Sequence, residues 1–119
     1  MKEDVKQVTS KPPRDRSHDD AMAELYRDDP AFALELINNI LADGEHGELL
    51  AVLRQLTRAF GGVPAVAQAA RLNATQLYRT LSPDGNPSLA TLTAILDAMG
   101  LRLAVEPKQP ERPFPAPAA

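Results

Sequence analysis

The 119-residue sequence predicts an all-α domain of five to six helices followed by one short C-terminal β-strand. Three observations carry that expectation. Apolar residues recur at three- and four-residue spacing from residue 17 to residue 99, the period of helices with one buried face. Capping residues, prolines and glycines interrupt the pattern at intervals of a helix length. Only residues 101–105 change period, alternating Leu101, Leu103 and Val105 with Arg102 and Ala104 as a strand does.

Residues 1–16 mix charges with Pro12-Pro13 and offer little to bury, so they are expected to be a disordered arm. Ser17 is the expected N-cap of the first helix. Asp19 and Asp20 then fall in its first turn, where negative charge suits the helix dipole, and Met22, Leu25 and Tyr26 form its apolar side. Asp29-Pro30 restarts the chain with a cap carboxylate and a proline at the first helical position. The next helix places Phe32, Leu36, Ile37, Ile40 and Leu41 on one stripe and stops near Gly44. Residues 17–46 thus form an acidic helical segment. A third helix over 47–60 turns Leu49, Leu50, Leu53, Leu56 and Phe60 inward and Arg54 and Arg58 outward, and Gly61-Gly62 ends it.

The most informative stretch is residues 63–82, VPAVAQAARLNATQLYRTLS. Val63, Val66, Ala67 and Ala70 share one side of a short helix. After a three-residue break, a second helix opens at Asn73 with Leu77 and Leu81 on its inner side. Ala67 sits where the helices must cross closely, and Leu72 and Leu77 supply the apolar plugs. Two short helices joined this way cross steeply, which leaves the second free to enter a DNA major groove, as in a helix-turn-helix. The loop Ser82-Pro83-Asp84-Gly85-Asn86-Pro87 is dense in turn residues. Ser88 caps a last helix whose Leu89, Leu92, Ile95, Leu96 and Met99 face the core, and Gly100 closes it.

A lone strand at 101–105 cannot satisfy its own backbone, so it needs a neighbour. That neighbour is the same strand in a second copy or a sheet edge on another protein; the alternative is an extended tail packed on the core. Residues 47–106 therefore form a helix-turn-helix domain with a terminal strand, and the proline-rich 107–119 are expected to be a disordered tail.

Net charge is −3, and its distribution is uneven: residues 21–60 carry three basic and seven acidic side chains, whereas 61–100 carry two of each. Such segregation suits one surface for DNA and another for a basic partner; alternatively, the acids merely solvate outer helix faces. Without cysteine there is no disulfide, thiolate metal site or cysteine nucleophile. No apolar run approaches the ~18 residues of a membrane span, and the first residues lack the apolar core of a signal peptide. A soluble, cytoplasmic protein is expected, with no membrane association. His18 and His46 lie far apart. Asp43–Glu48 lacks the ligand spacing of a calcium loop and reads as a solvated turn. Neither a phosphate-binding glycine loop nor a Ser/His/Asp set occurs. The expectation is a protein without catalytic residues, metal or cofactor.

On the second helix of the pair, Gln76 can take adenine in bidentate fashion. Thr75 can meet a thymine methyl or accept a hydrogen bond, and Arg79 can reach guanine or a phosphate. Ala74 offers at most a methyl contact. Tyr78 either packs its ring inward or turns its hydroxyl to the DNA backbone. Asn86 and Ser88 precede the last helix, whose N-terminus is a ready phosphate site; otherwise they are only turn and cap. Arg71 is a further phosphate candidate.

The run LNATQLYRTLSPDGNPSLATLTAILDAMGLRLAVEP resembles the addiction-module antidote family, the XRE-type, HigA-like antitoxins paired with RelE-superfamily toxins. It is similar to that family's capped recognition helix reading L-Y-[KR]-x-L-S, then G-N-P, then a final helix ending A-[LM]-G-L-R-L. The resemblance spans residues 17–106 and includes the acidic lead-in with Asp29-Pro30. It implies a lambda-repressor-like helix-turn-helix and a homodimer on a palindromic double-stranded operator. It also implies neutralisation of a RelE-superfamily ribonuclease toxin. Three positions depart: Arg71 stands where the family's turn usually has glycine, and Ala74 and Thr75 stand where arginine and glutamate are common. Two other readings remain open: a stand-alone prophage-type XRE repressor without a toxin, and a protein-interaction module with a degenerate helix-turn-helix.

Overall fold

The computed structural model describes the backbone of residues 14–109 and 111, and side chains from His18 onward. Residues 1–13 of the arm expected over 1–16, and residues 110 and 112–119 of the tail expected over 107–119, lie outside the described residues; residues 14–16, also expected in the arm, are helical instead. Among the described residues there are six helices: α1 (Arg14–Asp28), α2 (Pro30–Asp43), α3 (His46–Phe60), α4 (Val63–Ala70), α5 (Ala74–Thr80) and α6 (Leu89–Ala98). α3 is the hub of one half, contacting α1, α2 and α4, and α4 is the hub of the other, contacting α3, α5 and α6.

Local chemistry starts and stops these helices. The Asp29 carboxylate accepts from the Phe32 N–H at 3.1 Å, and Pro30 fills a first-turn position whose N–H would go unused. At α3 the Glu48 carboxylate accepts from the Glu45 N–H at 2.9 Å. That assigns Glu45 and Glu48 of the 43–48 turn to helix initiation. Asn73 and Ser88 cap α5 and α6, accepting from Gln76 and Thr91.

Three helices end by one closure, in which a left-handed residue turns two N–H groups back onto the last carbonyls. After α6, Gly100 (φ 80°) donates to Asp97 and Leu101 donates to Leu96. After α3, Gly61 (φ 133°) donates to Arg58 and Gly62 donates to Thr57. After α4, Arg71 takes the glycine's place at φ 60°, ψ 44°, with Leu72 donating to Ala67 at 2.8 Å. A side chain in that conformation costs on the order of 1 kcal/mol relative to glycine.

The contiguous core is Ile37, Val52, Leu53, Val66, Ala67, Leu77, Leu81, Ile95 and Leu96, drawn from every helix but α1. Burying each large aliphatic here contributes about 1.5–3 kcal/mol. Ala67 is buried at the α4–α5 crossing, as its small size suggested.

Several expectations need correction. α1 begins at Arg14, so Ser17 lies inside it instead of capping it. Asp19 and Asp20 are therefore not dipole-neutralising first-turn residues; they pair with Arg54 and Arg58 across the α1–α3 contact. Those two arginines accordingly do not simply point to solvent. Small residues hold the closest approaches on α1 and α2: Ala23 and Ala33 are buried while Leu25, Phe32 and Leu41 stay exposed. Phe60 and Leu89 are also exposed instead of facing the core.

Residues 101–107 have no regular secondary structure, and the strand expected there has no ladder partner among the described residues. Leu101 and Leu103 rest half-buried against the core, while Val105 stands 99% exposed.

Candidate nucleic-acid interface

α5 is only seven residues long, too short to hold its shape alone. It is pinned at its start by the Asn73 carboxamide, which accepts from the Gln76 N–H at 2.9 Å. Inward, Leu77 and Leu81 are almost fully buried. At its end, the Arg54 guanidinium reaches from α3 and donates to the Leu81 carbonyl at 2.8 Å. Cap, plug and clamp leave the outer face rigid and open.

Thr75, Gln76 and Arg79 are all exposed on α5, at spacings of one and three residues that place them on one side of a helix. Ala74 instead packs half-buried against the core. Tyr78 is 59% exposed, which settles the direction of its ring outward. It borders a cavity of about 230 Å³ together with side chains of α3 and the start of α4.

The loop from Ser82 to Pro87 is anchored beside α5 on both sides. A Cβ on Gly85 would lie 1.7 Å from the Thr80 carbonyl oxygen, so only glycine lets the loop approach this closely. The His46 Nε2–H donates to the Gly85 carbonyl at 2.9 Å, tying the loop to the first turn of α3. Asn86 and Ser88 are both exposed. The Ser88 hydroxyl is the α6 cap, accepting from the Thr91 N–H at 3.1 Å and donating to Thr91 Oγ1 at 3.0 Å. Arg71 is exposed in the turn that leads into α5.

On the other side of α3 a polar chain docks α1. The Tyr26 hydroxyl donates to Gln55 Oε1 at 2.8 Å, and Gln55 Nε2 donates to Asp19 Oδ1 at 3.1 Å. Arg58 Nη1 meets Asp20 Oδ1 at 2.8 Å, and Arg27 Nη1 donates to the Ala59 carbonyl at 3.3 Å. Burial, and secondarily the negative charge of Asp19, hold the Tyr26 hydroxyl above the usual tyrosine pKa. Gln55 and the two α3 arginines were not foreseen in these roles. The available signal was charge complementarity: Arg54 and Arg58, one turn apart, match the Asp19-Asp20 doublet.

These features define a class: a small all-helical protein that holds one short, polar-faced helix outward on a packed core. A family model described as "probable addiction module antidote protein" matches residues 18–107, from α1 through the segment after α6. The chain belongs to the addiction-module antidote family, whose members act against a toxin partner. No curated protein and no solved structure matches it. Among the described residues no helix is long and apolar enough to cross a membrane.

Proposed function

We propose that this antidote is an XRE-type, HigA-like antitoxin with two tasks. As a homodimer it binds a palindromic operator and represses its own operon, and through other surfaces it neutralises a RelE-superfamily ribonuclease toxin. α4, the Arg71–Asn73 turn and α5 serve as its helix-turn-helix, with α5 in the major groove. The observation that carries the DNA reading is the sidedness of α5: Thr75, Gln76 and Arg79 are exposed while Leu77 and Leu81 are buried. Base contacts then fall to Thr75, Gln76 and Arg79, and phosphate contacts to Arg71, Tyr78, Asn86 and Ser88. We assign it no catalytic step.

Two other surfaces support the remaining parts of the reading. Glu24, Asp28, Glu35 and Asp43 on α1 and α2 are exposed and make no ion pair among the described residues; Leu25, Phe32, Leu34 and Leu41 are exposed on the same two helices. An acidic surface with apolar anchors suits a basic toxin. For the homodimer, Leu101, Leu103 and Val105 lie in the segment that pairing with a second copy would turn into a strand.

A gel-shift titration against the DNA upstream of its own gene tests the first task. Gln76→Ala and Arg79→Ala should each cost about 1–3 kcal/mol of affinity. No shift at low salt removes the DNA reading, and a shift that ignores both substitutions favours a protein-interaction module. Deleting residues 101–106 should weaken the dimer in sedimentation; a fully dimeric truncation rejects the strand pairing. Co-purification with the neighbouring gene's product tests the toxin, and its absence favours a stand-alone repressor.

A further inference from the structure

Arg54 touches both sides of α3. Its Nη1–H donates to the Leu81 carbonyl at 2.8 Å, where α5 passes into the Ser82–Pro87 loop. No backbone N–H among the described residues donates to that carbonyl, and Leu81 is 1% exposed, so water has little access to it. This end of α5 therefore depends on Arg54 for its hydrogen bond. Through Nε, on another edge of the same guanidinium, Arg54 lies 3.9 Å from Asp19 Oδ2 of α1. Both contacts are met at once, because the planar guanidinium offers donors on more than one edge.

The Asp19 carboxylate is itself held. Its other oxygen, Oδ1, accepts from Gln55 Nε2 at 3.1 Å, and Gln55 Oε1 accepts from the Tyr26 hydroxyl at 2.8 Å. The Asp19 side chain is only 15% exposed, so its charge acts through less water than a surface carboxylate's. Its neighbour Asp20 is the contrast. Asp20 is 56% exposed and pairs with Arg58, which makes no hydrogen bond to α5 among the described residues.

We propose that Asp19 and Arg54 are positioning residues for DNA binding. Asp19 orients the Arg54 guanidinium, and Arg54 fixes the end of α5 and the start of the loop that carries Asn86 and Ser88. Leu77 and Leu81 hold α5 on the core; the arginine sets the direction of its last turn. The inference rests on the DNA reading of α5 and extends it to α1, which carries none of the proposed contacts to DNA. It also reverses a sign: Asp19 favours the binding of a polyanion, although its charge alone opposes it.

The test measures, across salt concentrations, the affinity of the full chain for a duplex from upstream of its own gene. Asp19→Asn keeps the side chain's shape, removes its charge and should weaken binding roughly threefold to tenfold. Asp20→Asn removes the same charge one residue away and should leave binding unchanged or slightly tighter. Arg54→Ala should weaken binding roughly tenfold with the salt slope unchanged, and adding Asp19→Asn to it should cost nothing more. Binding by Asp19→Asn at wild-type strength or tighter overturns the proposal and spares the DNA reading. Equal weakening by the two asparagine variants also overturns it, since that marks a general loosening of α1. A salt slope smaller by about one in Arg54→Ala makes the arginine a direct phosphate contact and overturns its positioning role. Should Arg54→Ala fail to fold, the comparison of Asp19 with Asp20 decides alone. If wild type binds no duplex, the DNA reading falls, and hydrogen exchange on the chain alone tests the positioning. Faster exchange of the α5 amides in Asp19→Asn than in Asp20→Asn upholds it, and equal exchange overturns it.

Discussion

The two sides of α3 are built on different physics. Towards α4, α5 and α6 the contact is apolar: Leu53, Val66, Ala67, Leu77, Ile95 and Leu96 close on one another. Towards α1 it is a chain of hydrogen bonds and charges, Tyr26 to Gln55 to Asp19 and Arg58 to Asp20, around the buried Ala23. Apolar closure is strong and holds no titrating group or charge for pH or electrostatic screening to act on. A polar network is worth less in net stability, yet it demands one geometry and responds to titration and ionic strength. The half proposed to present DNA-reading residues therefore stands on the rigid contact, and the helix at the acidic end is held by the adjustable one.

Leu77→Ala tests the apolar side and should have the largest effect, a loss of about 3 kcal/mol in urea unfolding. A loss well under 1 kcal/mol would mean that α5 is not held by its plug. Gln55→Ala tests the polar side and should cost about 2 kcal/mol, since it strands the Tyr26 hydroxyl and one oxygen of Asp19. Its loss should also be local: hydrogen exchange should quicken in α1 while the amides of α4 and α6 keep their protection. Uniform loss of protection would erase the distinction between the two sides.

Tyr26→Phe sharpens the comparison through pH, at a cost of about 1 kcal/mol near neutrality. The hydroxyl's folded pKa is raised above its unfolded value near 10.0. Its contribution to stability is therefore complete below that value and lost as pH climbs through the folded one. Wild type should lose melting temperature on that alkaline limb, and the phenylalanine variant should show a flatter limb. Smallest, and opposite in sign, is Arg71→Gly, which relieves the left-handed turn and should gain about 1 kcal/mol in the same unfolding experiment. If that variant also binds DNA less well, the strain is retained for a phosphate contact.

Much of the fold was legible because its signals are local. Asp29, Asn73 and Ser88 cap helices through bonds to residues three positions on, and the glycines after α3 and α6 take the left-handed turns that such stops require. Leu77 and Leu81 face inward because helical spacing puts them there. Ser17 failed as a cap because a helix start is a choice among nearby residues, and here the helix extends back to Arg14. Leu25, Phe32 and Leu41 failed as core residues because Ala23 and Ala33 let the helices come closer, which moves larger neighbours to the rim. Gly85 was visible as a turn residue, but its contact with the Thr80 carbonyl was not.

By itself, the order of residues settled where helices begin and end after α1, which faces of α4 and α5 are apolar, and that α5 carries a polar outer edge. These depend on interactions within about one turn of the chain, which spacing encodes directly. Tertiary structure alone decided that Arg54 clamps the end of α5, that Gln55 is buried between Tyr26 and Asp19, and that the Thr57 hydroxyl is buried with no hydrogen-bond partner among the described residues. Those pairings join residues 27 to 38 positions apart or depend on the packing of three helices at once. No local period records such meetings, because their free energy exists only after the helices have been brought together.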